Sequence, residues 1–105
     1  MLNKRLIKLW EMQKENPEDT FLKYAIAMEF LGMNDIVSAK KYFEEVIAVD
    51  ENNVAAYYQI GKIYETNNEA TNAISIYEKG LEAAIKKNDL RSVREINTAI
   101  ESLKF

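Results

Sequence analysis

Tyr57-Tyr58-Gln59-Ile60-Gly61-Lys62-Ile63-Tyr64, followed by Ala73-Ile74-Ser75-Ile76-Tyr77, decides the fold of this chain. Tyr57, Ile60, Gly61 and Tyr64 fall at i, i+3, i+4 and i+7, which makes one apolar face of a helix. Gly61 sits on that face without a side chain, so a neighbouring helix can approach closely there. Thr66-Asn67-Asn68 is a polar stop rich in capping residues. A second apolar face follows, made of Ala70, Ala73, Ile74, Tyr77, Leu81 and Ala84. Ala73 is small where two helices cross, and Tyr77 fills the space one turn later.

The same pattern lies 34 residues upstream. At that offset Tyr24 meets Tyr58, Ile26 meets Ile60, Asn34 meets Asn68, Ala39 meets Ala73 and Glu44 meets Glu78. Ala27 meets Gly61, Phe30 meets Tyr64, Phe43 meets Tyr77 and Ile47 meets Leu81, so small residues pair with small and aromatics with aromatics. An ordered series at one offset marks an internal repeat. Asp19 and Asn53 are expected to cap the first helix of each copy. Asn34-Asp35 and Asn68-Glu69 are expected to cap or charge the start of the second.

Composition agrees with a helical reading. At 105 residues the chain is expected to form one domain, and 48% hydrophobic residues suffice for a core. Three glycines and one proline leave few positive-φ turns, which favours helices over a many-turned β fold. The net charge of −3 argues against nucleic acid as a partner. The charge is uneven: residues 1–15 and 79–105 each carry +2, while residues 16–78 hold four bases against eleven acids. This distribution is compatible with an ordinary solvated surface or with end-to-middle association.

The absence of cysteine and histidine excludes disulfides and thiolate chemistry and removes the commonest metal ligand and general base. No apolar run approaches the ~20 residues of a membrane helix. Met1–Trp10 lacks a small-residue cleavage site, so a signal peptide is not expected, and the expected setting is a reducing cytoplasm.

Tyr57-x-x-Ile60-Gly61-x-x-Tyr64, Ala73-x-x-x-Tyr77 and the turn Val49-Asp50-Glu51-Asn52-Asn53 together resemble the tetratricopeptide-repeat family. In the upstream copy Lys23 replaces the usual large aromatic and Ala27 the usual glycine. The family's turn proline is missing at Glu51 but stands one period earlier, as Pro17. The resemblance implies an all-α fold of antiparallel helix pairs stacked as a short right-handed superhelix. It predicts six helices, at about 2–15, 20–33, 36–49, 54–67, 70–87 and 89–104. The first is half of a preceding repeat, 20–53 and 54–87 are full repeats, and the last is a capping helix with Leu90, Val93, Ile96, Ile100 and Leu103 on one side.

The resemblance further implies that the first helix of each repeat lines a concave groove for an extended peptide or partner segment. The corresponding positions are Phe21, Tyr24 and Met28, then Tyr58, Lys62 and Glu65, with Arg91, Arg94 and Thr98 if the closing helix takes the next slot. Tyrosine and phenylalanine offer rigid contact area, and arginine grips carboxylates. Equally, the closing helix could cover these aromatics, with the arginines bridging to Glu65 and Glu95. Family members that clamp acidic chaperone tails carry Lys and Asn where this chain has Tyr24 and Met28, and Asn where it has Gln59, so that clamp is not expected.

Trp10 lies on a helix whose apolar residues Leu2, Leu6, Ile7, Leu9 and Met12 cover more than one stripe. Such a helix wants two neighbours. A second copy meeting Leu6 and Trp10 would supply one, giving a weak homodimer; alternatively Trp10 seals the end of the core in a monomer. Enzymatic readings find no support: Glu44/Glu45 and Asp50/Glu51 are adjacent residues that do not face each other on a helix, and Gly32, Gly61 and Gly80 are isolated. Asp50-Glu51-Asn52-Asn53 lacks the glycine and distal glutamate of a calcium loop. No catalytic residue, cofactor or metal is expected. The readings that remain are a protein- or peptide-binding adaptor, a self-associating structural module, and a small regulatory subunit.

Overall fold

The computed structural model describes residues 3–104. All regular structure among them is helical: α1 (Lys4–Glu15), α2 (Thr20–Gly32), α3 (Ile36–Val49), α4 (Val54–Thr66), α5 (Ala70–Lys86) and α6 (Leu90–Leu103). These limits lie within a residue or two of the sequence expectation. Leu2, assigned by its apolar character to the first helix, is outside the described residues. The chain divides into two compact units, one ending at Asp50 with α1–α3 and the other beginning at Glu51 with α4–α6. No described helix is long and apolar enough to cross a membrane.

The helix starts follow from short polar side chains. Asn3, Asp19, Asp35, Asn53 and Asp89 each accept a hydrogen bond from the backbone N–H three residues on, at 2.9–3.2 Å. Each such cap contributes about 1 kcal/mol. Glu69 holds the same position before α5 but makes no side-chain cap bond. Its longer carboxylate instead accepts from Asn72 at 3.0 Å.

The paired Asn-acid dipeptides divide their labour in a way the sequence reading did not separate. Asn34 and Asn68 do not cap the second helices; they end the first ones, in left-handed conformation at φ 61° and 59°. Asparagine tolerates that region better than other side chains do. The acid that follows closes the turn with its backbone N–H, from Asp35 to Phe30 O and from Glu69 to Tyr64 O, both at 2.9 Å. The α5–α6 joint repeats the device: Asn88 has φ 55°, and Asp89 N–H reaches Ala84 O at 2.9 Å.

The core of the first unit gathers Leu6, Leu22, Ile26, Ala27, Ala39, Phe43 and Val46. Lys23 is buried as well, at 7% exposure, with its ammonium 3.0 Å from the half-buried carboxylate of Glu45. It occupies the repeat position that Tyr57 holds in the other unit. There the tyrosyl hydroxyl donates to the Glu51 carbonyl at 2.8 Å. Each residue buries a long stem and satisfies its polar tip, by an ion pair in one unit and a backbone acceptor in the other.

The second unit is built on two glycines. A Cβ added to Gly61 would stand 2.2 Å from the Tyr77 ring, and one added to Gly80 would stand 2.8 Å from Tyr57 Cβ. Tyr77 is fully buried between α4 and α5, while Ile96 of α6 reaches to 3.4 Å from the Gly80 site. Ile96, Ala99 and Ile100 bury the inner side of α6. Leu90 does not join them, contrary to the apolar pattern. It is the first residue after the Asp89 cap and is 69% exposed.

Gly61→Ala is expected to lower the unfolding free energy by about 1–3 kcal/mol, because the fully buried Tyr77 ring must shift to admit the methyl group. A denaturant midpoint equal to that of the parent chain would disprove this account. Asp89 supplies a pH signature. The hydroxyl and then the backbone N–H of Ser92 hold its carboxyl below the usual aspartate value. Its folded pKa is depressed, so the cap is intact above about pH 3.9 and is lost as pH falls through the lower folded value. The Ser92 amide resonance should report that loss on acidification, whereas Asp89→Asn, which caps without titrating, should abolish the transition.

Candidate binding surfaces

In the first unit, Phe21, Tyr24 and Met28 fall along α2 at three- and four-residue spacing, one rung apart. Phe21 is 77% exposed and Met28 is also exposed. Tyr24 is half-buried, with its ring edge-on to Phe43 at 5.3 Å between centroids. Phe43 holds Tyr24 in place, so the row is an exposed apolar edge anchored on the core.

The corresponding rungs of α4 carry a different chemistry. Tyr58 is half-buried, with its ring 6.0 Å from that of Tyr77. The Lys62 ammonium lies 5.4 Å from the Tyr58 centroid and 3.9 Å from Glu65 Oε2. Tyr77 donates its hydroxyl to Glu65. Burial and the nearby Glu65 charge both push the Tyr77 phenol far above its usual range, so it stays a proton donor. Tyr58, Lys62 and Glu65 are thus brought together, and the carboxylate already has two partners.

On α6 the Asp89 cap fixes the register. Counted from the caps Asp19, Asn53 and Asp89, Arg91 shares its rung with Phe21, Arg94 with Tyr24 and Tyr58, and Thr98 with Met28 and Lys62. Arg91 is exposed and pairs with Glu95 on its own helix at 3.0 Å. Arg94 is exposed and has no ion pair among the described residues. Neither bridges to Glu65.

The N-terminal helix contradicts half of its sequence reading. Leu6 is 5% exposed and belongs to the core of its unit, so it is not available to a second copy. Trp10 is 39% exposed and rests on an aromatic cluster that the apolar pattern did not reveal. Its ring centroid is 6.1 Å from that of Phe30, which stacks on Tyr42 at 5.6 Å, and the indole N–H donates to the Tyr42 hydroxyl at 3.3 Å. Tyr42 falls one residue off the buried face that carries Phe43, which is why helical spacing passes over it. Nearby, Glu29 ties α2 to α1 through Arg5 and Asn3, at 3.1 and 3.3 Å.

The second unit also holds a cavity of about 300 Å³ between the 51–52 turn and α5. Glu51, Asn52, Tyr57, Lys79, Glu82 and Lys86 line it, a balanced set of charges open to solvent. Among the described residues no three acidic side chains come together as a group that could hold a metal ion.

The family model of the tetratricopeptide repeat matches residues 22–53 and 54–84, the two copies joined at the Asn53 cap. The chain belongs to the tetratricopeptide-repeat family. A tetratricopeptide-repeat domain protein of Salinibacter ruber, solved by NMR, is 33% identical with a TM-score of 0.78, over 83% of this chain and 88% of that one. The TPR2B domain of yeast Sti1, in complex with pHsp70, shares the fold at a TM-score of 0.85 and 21% identity, over 94% of this chain and 79% of that one. Mouse aspartyl/asparaginyl beta-hydroxylase is 32% identical over 78 residues, which are 74% of this chain. The match spans only 10% of the hydroxylase's length.

Within a tetratricopeptide repeat, Ala27 and Gly61 are the small residues of the first helix. Counting from its cap, α6 has Asn97 at that rung, and it is exposed. Tyr77→Phe tests the polar part of the second unit. The ring packing against Gly61 is kept while half-buried Glu65 loses its tyrosyl donor, so stability should fall by about 1–2 kcal/mol. A denaturant midpoint equal to the parent's would show that water replaces the hydroxyl at no cost.

Proposed function

We propose that this chain is a non-enzymatic adaptor that binds a protein or peptide segment through the outward rungs of its first-in-repeat helices. The tetratricopeptide-repeat fold is that of a protein-interaction module. The observation that carries the proposal is Phe21, a large aromatic 77% exposed on a row anchored by Tyr24 and continued by Met28. Rigid aromatic side chains of this kind supply binding energy at low entropic cost. The Tyr58–Lys62–Glu65 group and the exposed Arg91 and Arg94 are read as polar contacts to the partner, favouring carboxylates. The yeast Sti1 domain with this fold occurs in complex with pHsp70, which supports a protein ligand as the class.

The hydroxylase chemistry of the mouse relative is not carried over, since the chain lacks histidine and the match covers a tenth of that protein. The acidic balance disfavours nucleic acid, and the absence of cysteine fits a cytoplasmic setting. The burial of Leu6 weighs against a dimer formed through the inner side of α1.

Random-peptide display against the whole chain tests the adaptor reading. Enriched peptides should combine an aromatic or aliphatic residue with an acidic one. Phe21→Ser with Met28→Ser, both exposed, should leave the helical circular dichroism unchanged and weaken those peptides by roughly tenfold or more. Equal binding to the parent and the double variant would remove the row from the binding surface.

A further inference from the structure

Two turns, one in each unit, carry complementary surfaces. Around the α1–α2 turn, residues 11–21 hold Glu11, Glu15, Glu18 and Asp19 against Lys14, a balance of −3. All five are exposed, and Met12 among them is 45% exposed. Asp19 spends one oxygen on its cap, while Glu11, Glu15 and Glu18 form no ion pair among the described residues.

Around the α5–α6 turn, residues 85–95 hold Lys86, Lys87, Arg91 and Arg94 against Asp89 and Glu95, a balance of +2. Both acids are already engaged, Asp89 by the backbone N–H and hydroxyl of Ser92 and Glu95 by Arg91. Lys86 and Arg94 form no ion pair among the described residues. Ile85 and Leu90 flank this turn and are the exposed large hydrophobic residues described in the second unit. Each corner therefore combines unpaired charge of one sign with exposed apolar surface.

We propose that the α5–α6 corner of one copy docks on the α1–α2 corner of a second copy, a head-to-tail self-association. Lys86 and Arg94 face Glu11, Glu15 and Glu18 across the contact, and Ile85 and Leu90 cover Met12. Two like corners repel, so a symmetric dimer through either corner is disfavoured. A contact between unlike patches leaves each terminal copy with one corner open, so association continues past two copies unless it closes into a ring. The charges sit at the surface, and the contact is weakened by salt as the screening length falls from about 10 Å at 0.1 M to about 3 Å at 1 M. The two corners share Phe21 and Arg94 with the proposed binding rows, but the test leaves every residue of those rows unchanged.

The experiment is sedimentation velocity of the whole chain against concentration, at low and at high salt. One variant combines Met12→Ser, Glu15→Ser and Glu18→Ser; the other combines Ile85→Ser, Lys86→Ser and Leu90→Ser. All six side chains are exposed, and circular dichroism checks that both variants stay helical. The parent chain should grow in mass with concentration at low salt and return to monomer at high salt. Each variant alone should remain monomeric. An equimolar mixture should give a one-to-one dimer and nothing heavier, because each variant retains the corner the other has lost. A parent that stays monomeric at every concentration in low salt overturns the proposal. So does either variant self-associating alone, or a mixture that stays monomeric.

Discussion

The seat of the Tyr77 ring against Gly61 is the contact on which the second unit depends. A ring can lie directly on a helix backbone only where no Cβ stands in the way, and this one leaves no room for even a methyl group. Seated there, Tyr77 fixes the separation of α4 and α5 and aims its hydroxyl at Glu65. Glu65 in turn receives Lys62, which lies over Tyr58. A core constraint thus becomes the arrangement of the polar face by a chain of direct contacts. In the first unit the same positions are Ala27 and Phe43, both fully buried, and the neighbouring face is apolar instead.

The two units answer one packing problem with different chemistry. Where Tyr57 sends a phenol to a carbonyl, Lys23 sends an ammonium to a carboxylate. The ion pair stands on weaker ground energetically, since removing either partner strands a charge that is partly or wholly out of water. The phenol risks less, because its acceptor belongs to the backbone and is present whatever the side chains are.

Much of this was legible in the residues. The offset of 34 aligned the small and aromatic positions and pointed to the close approach at Gly61, and the capping residues together with the family resemblance supplied the helix pairs and their limits. The outward rungs were implied by the family resemblance, and α6 fell into the same register once Asp89 was seen as a cap. Other features escaped because their causes are not periodic. Lys23 was legible as standing in the place of a large aromatic, but its partner Glu45, on the next helix, was not. Tyr42 lies beside the expected stripe rather than on it. Leu6 and Leu90 fit an apolar pattern equally well, yet one is buried and the other exposed, since burial depends on what a neighbouring helix offers at that height. The joint at Asn88-Asp89 was readable in principle, because the same asparagine-acid pair occurs at 34–35 and 68–69.

Those three joints have a consequence for how this chain can drift in sequence. Their asparagines stand at φ near 60°, where a β-branched residue is strained and glycine is not. The helices around them can exchange surface residues freely, but these positions admit few substitutes. The acid beside each is freer, because its turn-closing bond comes from the backbone, as Glu69 shows by closing its turn without capping its helix. Substitutions that leave the repeat intact should therefore gather everywhere around the three asparagines and spare the asparagines themselves.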